Sequence, residues 1–120
     1  MKVVTICGSM KFEEQMKSIA FNLESRDNMC VLQCIYGLNK ESLGANEIDL
    51  LNKTHLKKID ISDAIYVVDI DGYIGNQVKK KIEYAEAAGK EVTCEGRGKD
   101  ENDAIIQEYI DEWREDLLKN

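Results

Sequence analysis

The stretch that decides the fold runs from His55 to Val92 and reads HLKKIDISDAIYVVDIDGYIGNQVKKKIEYAEAAGKEV. It predicts the end of a helix, a buried strand over 63–69, a glycine-bearing loop over 69–76, a second helix and a further strand. In open α/β sheets, ligands bind where a strand ends and a helix begins, because helix N-termini and free backbone N–H groups converge there. The stretch therefore predicts a fold class and a position for a binding site.

The same order of strand and helix extends over the rest of the chain. Apolar runs predict strands, and apolar positions at helical spacing predict helices. The strands are expected over 2–7, 30–35, 63–69 and 91–94, and the helices from about 12 to 23, 46 to 59, 77 to 88 and 102 to 118. Such alternation predicts a parallel sheet with right-handed crossovers. We expect a three-layer α/β/α fold with four to five strands, formed as one domain over residues 1–120.

The negative charge of the chain is concentrated near its C-terminal end. The net charge is −7, and residues 100–120 hold eight carboxylates against one arginine and one lysine (−6), which leaves −1 for the other 99 residues. Binding to a nucleic-acid backbone needs a basic surface, so we expect no nucleic-acid partner. No apolar run approaches the length of a membrane span and no secretory signal is recognisable. We therefore expect a cytoplasmic protein that contacts no membrane.

The four cysteines, Cys7, Cys30, Cys34 and Cys94, are expected to be structural. They form no Cys-x-x-Cys pair, and one histidine cannot complete a zinc site with this spacing. Free cysteines are small buried hydrophobes in reduced compartments. We therefore predict no metal and no cofactor, and we note that Cys7 adjoins a candidate site.

The first candidate site follows the first strand and consists of Gly8, Ser9, Met10 and Lys11. A glycine here lets the backbone approach a ligand closely. The Ser9 hydroxyl, the N–H groups of the helix start and the Lys11 charge suit a phosphate or a sugar hydroxyl. The alternative is a tight turn in which Ser9 caps the helix.

The second candidate site is the loop after the third strand. Its residues with catalytic or ligand-binding groups are Asp69, Asp71, Gly72, Tyr73, Gly75 and Asn76. Strand alternation cannot bury both aspartates, so we expect at least one at the mouth of the sheet, where a carboxylate binds ribose hydroxyls or acts as base or nucleophile. Tyr73 is placed to stack on a base. The alternative is an ordinary turn marked by Asp and Gly.

His55, the sole histidine, falls on the apolar stripe formed by Ile48, Leu51 and Ile59 of the second helix. One interpretation is a core residue. The other is a site residue that hydrogen-bonds a ligand or exchanges protons, because its helix ends close to the third strand.

These motifs resemble those of the nucleoside 2-deoxyribosyltransferase superfamily, which includes nucleoside and nucleotide N-glycosidases. The resemblance rests on the first strand with Gly8-Ser9 and on residues 62–92, in which KIEYAEAAGKEV is similar to the family's E-I-G-Y-A-x-A-x-G-K-P-V. Small bacterial and phage proteins of the superfamily are more similar, with a GS-x-[KR]-F opening, a His-x-x-Lys-Ile-Asp segment and a Gly-Tyr-Ile-Gly loop. The resemblance covers about half of the chain.

The resemblance implies a flavodoxin-like sheet and a homodimer or higher homo-oligomer with sites near the subunit boundary. The family's enzymes use a glutamate to attack the anomeric carbon or to assist water, and Lys81 stands at that position, where an ammonium opposes an oxocarbenium-like transition state. His55 stands where the family has an aspartate that orients the sugar or protonates the base, and Thr5 where a tyrosine is common. Ser9 matches the serine that binds phosphate or hydroxyl in the nucleotide-hydrolysing members.

The sequence leaves three functions open. The favoured one is a nucleoside- or nucleotide-binding protein without glycosyl-transfer chemistry, in which Lys11 and Lys81 bind phosphate. The second is an active nucleoside or nucleotide N-glycosidase or deoxyribosyltransferase that uses Asp69 or Asp71 with His55. The third is a structural or regulatory protein that binds a partner through its acidic C-terminal helix or its dimer face.

Overall fold

The computed structural model describes residues 1–95, in which strands and helices alternate. The strands are β1 (Lys2–Gly8), β2 (Met29–Leu32), β3 (Ala64–Val68) and β4 (Glu91–Cys94). The helices are α1 (Glu13–Ser25), α2 (Ala45–Asp60) and α3 (Asn76–Ala87), with short 3-10 turns at Met10–Phe12, Lys40–Ser42 and Ile70–Gly72. None of these helices is long and apolar enough to span a bilayer. The helix predicted over 102–118 lies outside the described residues.

All four strands are parallel and lie in the order β2-β1-β3-β4. Thr5 of β1 is paired with Leu32 on one side and with Ile65 on the other. The chain runs outward from β1 to β2 and then crosses back over β1 to β3, so the strand order reverses at the junction of β1 and β3. The flavodoxin/Rossmann-like three-layer fold expected from the sequence is confirmed, with four strands in the part of the chain that the structure describes.

The sheet is covered by an apolar layer on each face. Ile6 of β1 packs with Met16 of α1 on one face, and Cys7 packs with Ile59 of α2 and Ile82 of α3 on the other. Strands that are buried on both faces have continuous apolar sequences, because neither set of alternating side chains meets water. This is why the sequences of β1 and β3 are mostly apolar.

Polar contacts fix the start of β3 against β1. The Asp63 carboxylate accepts a hydrogen bond from Val3 N at 2.8 Å, and Asp63 N donates to the Val3 carbonyl at 2.8 Å. The buried Thr5 hydroxyl lies 2.6 Å from the Ser62 hydroxyl, which donates to the Lys58 carbonyl at 2.6 Å. The Ser62-Asp63 pair of the sequence motif therefore sets the position of β3 relative to β1 and α2.

β2 is shorter than predicted. The expected strand reached Ile35, but the pairing of β2 with β1 ends at Leu32. Past that point the Gln33 carbonyl accepts a hydrogen bond from the Lys58 ammonium of α2, and Cys34 and Ile35 line a cavity. An apolar run is typical both of a strand and of a cavity wall, so the sequence could not separate the two.

α3 ends as predicted. Its buried side chains are Val78, Ile82 and Ala85. Gly89 follows its last turn with φ of 75°, a left-handed conformation that costs glycine little because it has no Cβ.

Packing requires a glycine at position 8. A Cβ there would lie 3.0 Å from Met16 Sδ and 3.2 Å from Val68 Cβ. We expect Gly8→Ala to lower the free energy of unfolding by about 1–3 kcal/mol through overpacking, measured by urea denaturation. Gly44→Ala is the control, because the nearest atom to a Cβ at position 44 is 3.5 Å away. Equal losses in the two variants would exclude close packing as the reason for Gly8.

Candidate functional site

A cavity of about 670 Å³ opens at the carboxyl edge of the sheet, beside the junction of β1 and β3. It is bounded by the segments that follow β1 and β2, by α2, and by the first turns of α3. Its polar lining includes Ser9, Glu13, His55, Lys58, Asn76 and Lys81. Its size and its place at the reversal of strand order are those of a small-molecule site.

One part of the cavity suits an anion. Lys81 of α3 and Lys58 of α2 line it together with the first turn of α3. The backbone N–H groups of that turn have no acceptor inside the helix, and Gly75 at the N-cap supplies no side-chain hydrogen bond. Within residues 1–95, no hydrogen bond or ion pair engages the Lys81 ammonium, whereas Lys58 donates to the Gln33 carbonyl. The positive helix end and the Lys81 charge therefore act on the same space.

Another part of the cavity lining is apolar. Ile48 and Leu51 of α2 line it together with Ile35 and Leu38 from the segment after β2. The sequence predicted that the stripe of α2 faces the core. In the structure only part of that stripe lies in the core. Ile59 is fully buried, whereas Ile48 keeps 38% of its surface exposed at the cavity.

His55 lines the same cavity from α2, four residues after Leu51, and is 6% exposed. Its Nε2 is 3.2 Å from the Ile6 carbonyl oxygen. Burial, and to a lesser degree the nearby Lys81 charge, lower the pKa of His55 to about 4. The imidazole is therefore neutral near pH 7, and because a carbonyl only accepts hydrogen bonds, the ring hydrogen is on Nε2.

Glu13 is the one carboxylate in the cavity lining within residues 1–95. It lies in the first turn of α1, and its side chain keeps 29% of its surface and lies 3.4 Å from the Lys17 ammonium. It was not among the site residues predicted from the sequence. Glu13 follows Ser9 by four residues, which is about one helical turn. This spacing could have indicated that both residues border the same site.

The two aspartates of the loop after β3 are not in the cavity lining. Asp69 is buried at 2% exposure, and Asp71 is exposed with φ of 54°. Tyr73 does line the cavity and keeps 46% of its surface. The Lys11 ammonium lies 3.2 Å from the centre of the Tyr73 ring, so Lys11 contacts the aromatic face and does not line the cavity.

Cys7 is not a nucleophile in this state. It is 1% exposed, and burial raises the pKa of its thiol to about 12 despite the opposing charge of Lys81. The reactive thiolate is therefore absent near pH 7. All four cysteines are free thiols. Within residues 1–95, no group of three or more metal-ligating side chains comes together.

The structure brings together most of the predicted site residues around one cavity: Gly8, Ser9, Met10, His55, Tyr73, Gly75, Asn76 and Lys81. It leaves four outside the lining: Lys11, Asp69, Asp71 and Gly72. Lys58 was not singled out from the sequence, although it follows His55 by three residues and so shares a helix face with it.

His55 should make stability depend on pH. The unfolded imidazole gains a proton near its ordinary pKa of 6.5, whereas the folded one gains it only near a pKa of about 4. Unfolding therefore takes up a proton in this window, and stability falls as pH drops from 6.5 towards 4. Between about pH 7 and pH 4.5 we expect the wild type to lose about 2 kcal/mol more than His55→Asn in urea denaturation. Equal losses would contradict a buried neutral imidazole.

Lys81→Gln should raise the pKa of His55, because removing a nearby positive charge makes the imidazolium less costly. The chain has one histidine, so the pH titration of a single set of imidazole NMR signals reports this pKa directly. Lys80→Gln is the matched control, since Lys80 is exposed and lies outside the cavity lining. If both variants raise the pKa equally, the effect comes from net charge and not from the proximity of Lys81.

No protein-family model, curated protein or solved structure matches the chain. The superfamily membership suggested by the motifs therefore stays a prediction, and the function has to be inferred from the cavity.

Proposed function

We propose that the protein binds a nucleoside or nucleotide in the cavity at the junction of β1 and β3, without glycosyl-transfer chemistry. The observation that carries this proposal is that one cavity has two kinds of lining, an anion-suited part at Lys81 and the start of α3, and an apolar part at Ile48 and Leu51. A nucleotide has the same two parts, a charged phosphate and a flat, largely apolar base.

The phosphate is assigned to the start of α3. A negative group there is favoured by the free N–H groups of the first turn of α3, by the positive end of the helix dipole and by the Lys81 ammonium. Ser9 adds a hydroxyl from the neighbouring segment, which accepts a backbone hydrogen bond from Lys11 at 3.4 Å and keeps its own hydrogen to donate.

The base is assigned to the apolar wall and to Tyr73. Burying the base against Ile48 and Leu51 favours binding but does not fix the orientation of the base. The Tyr73 ring at the rim provides a face on which the base can stack. The Lys11 ammonium covers a face of the Tyr73 ring, so a base that stacks on that face has to displace it.

The positions of the carboxylates favour a protein without glycosyl-transfer chemistry. Glycoside cleavage canonically requires carboxylates flanking the scissile bond. Lys81 stands where the superfamily keeps its glutamate, and neither Asp69 nor Asp71 lines the cavity. The alternative is an active N-glycosidase or deoxyribosyltransferase. The position of Glu13 favours it, because this residue places one carboxylate in the same cavity.

The proposed setting is the cytoplasm, where reducing conditions keep cysteines as the free thiols found here. We further propose a homodimer or higher homo-oligomer, on the resemblance alone, and no nucleic-acid or membrane partner. The partner-protein alternative depends on an acidic segment that lies outside the described residues.

Nucleosides and their mono-, di- and triphosphates should be screened by thermal shift, with chromatography for released base. We expect a nucleotide to raise the melting temperature with no base released. Lys81→Gln should weaken the affinity about tenfold or more, because a charge-assisted hydrogen bond is lost. Lys80→Gln, the matched control, should bind as the wild type does.

Two outcomes would contradict this proposal. Release of base would establish an enzyme, and Glu13→Gln and Asp71→Asn would then identify the working carboxylate. Failure of every nucleoside and nucleotide to stabilise the protein would favour the partner-protein function.

A further inference from the structure

The Lys11 ammonium is held at the rim of the cavity by an aromatic ring and not by a carboxylate. It lies 3.2 Å from the centre of the Tyr73 ring and 5.2 Å from the centre of the Phe12 ring. Within residues 1–95, no ion pair or hydrogen bond engages this ammonium. A cation over an exposed ring is stabilised only about two- to fivefold in its equilibrium constant. A stronger partner therefore displaces it.

The Tyr73 ring is the fixed member of this pair. Phe12 is 9% exposed and packs edge-to-face against it, with ring centres 5.9 Å apart. The hydroxyl end of the ring adjoins the start of α3, because a Cβ at the N-cap Gly75 would lie 3.5 Å from the Tyr73 hydroxyl oxygen. Lys11 is exposed and ends in a flexible four-carbon stem, so the ammonium is the member that moves.

The two parts of a nucleotide act on this pair in different ways. The base takes the ring face that the Lys11 ammonium covers, and it thereby releases the ammonium. The phosphate binds at the start of α3, next to the hydroxyl end of the same ring, where it offers the released ammonium a charge-assisted hydrogen bond. A nucleoside also releases the ammonium, but it offers no anion in return.

We propose that Lys11 makes the cavity selective for nucleotides over nucleosides, because its ammonium exchanges the Tyr73 ring for the phosphate of the ligand when the base stacks on that ring. The inference rests on the proposed function and adds to it the class of ligand, a phosphorylated nucleoside. Lys11 differs in this from Lys81. The Lys81 ammonium covers no aromatic ring among the described residues, so it favours the phosphate without opposing the base.

The Lys11→Ala variant tests this exchange, because it uncovers the Tyr73 ring and removes the charge. The probes are adenosine, guanosine, cytidine and uridine and their 5′-monophosphates, measured by calorimetry, with weak nucleosides measured by displacement of the tightest monophosphate. We expect Lys11→Ala to bind that monophosphate about tenfold more weakly. It should bind the corresponding nucleoside about two- to fivefold more tightly, because the base no longer displaces a cation.

Three further variants separate the exchange from simple loss of charge. Lys81→Gln should weaken the monophosphate and leave the affinity for the nucleoside unchanged. Lys80→Ala, the matched control at an exposed position outside the cavity lining, should bind both ligands as the wild type does. In a Tyr73→Leu background, Lys11→Ala should no longer strengthen nucleoside binding, since there is no ring face to uncover.

Unchanged nucleoside affinity in Lys11→Ala would overturn the inference, because the base would then not compete with the ammonium. An equal gain in Lys80→Ala would also overturn it, as an effect of net charge. Either result leaves the proposed function standing, provided that a monophosphate binds the wild type. If no monophosphate binds the wild type, the proposed function fails and the inference with it.

A direct measurement covers the case in which Lys11→Ala does not fold. Protons above an aromatic ring resonate upfield, so the side-chain NMR signals of Lys11 in the free wild type should be shifted in that direction. The monophosphate should abolish this shift. Persistence of the shift in the saturated complex would show that the ammonium stays on Tyr73 and would overturn the inference.

Discussion

The burial of Val4–Cys7 in β1 is the constraint on which the rest of the structure depends. This strand is paired on both edges, with β2 and β3, and its side chains enter both apolar layers. Both faces of a strand in this position are buried, so a polar side chain on it has to form a hydrogen bond with another group of the protein. Thr5, which is fully buried, meets this requirement through the Ser62 hydroxyl, and in doing so it ties the end of α2 to the centre of the sheet.

The same burial determines the chemistry of the cavity. The carbonyl of Ile6 reaches the His55 ring, which orients the imidazole, and the low polarity around it keeps that imidazole neutral. Cys7, one residue further along β1, is kept protonated for the same reason. Burial therefore makes the imidazole a weaker base and keeps the thiol in its protonated form.

The position of Lys81 shows how one residue changes what a scaffold can do. The start of α3 favours an anion through its backbone alone. A carboxylate at position 81 would oppose an anion there. An ammonium reinforces the helix end, so its charge and the dipole of α3 favour the same ligand group.

The sequence by itself determined the order of the strands and helices in the described part, the parallel sheet, the end of α3 and the edge of the sheet at which the cavity lies. These follow from local properties: continuous apolar runs, helical spacing and the residues that end a helix. It also supplied Ser9, His55 and Lys81 as candidates, since each stands near the end of a strand or on a helix that adjoins one.

Only the tertiary structure decided which candidates share a cavity. Asp69 and Asp71 follow β3 at once, yet one is buried and the other turns outward in a left-handed conformation, because side-chain direction after a strand depends on backbone angles that the residue types leave open. Glu13 and Lys58 enter the cavity from two helices that are distant in sequence. The neutral state of His55 also required the fold, since its pKa is lowered by burial and by the charge of Lys81, and only packing supplies both.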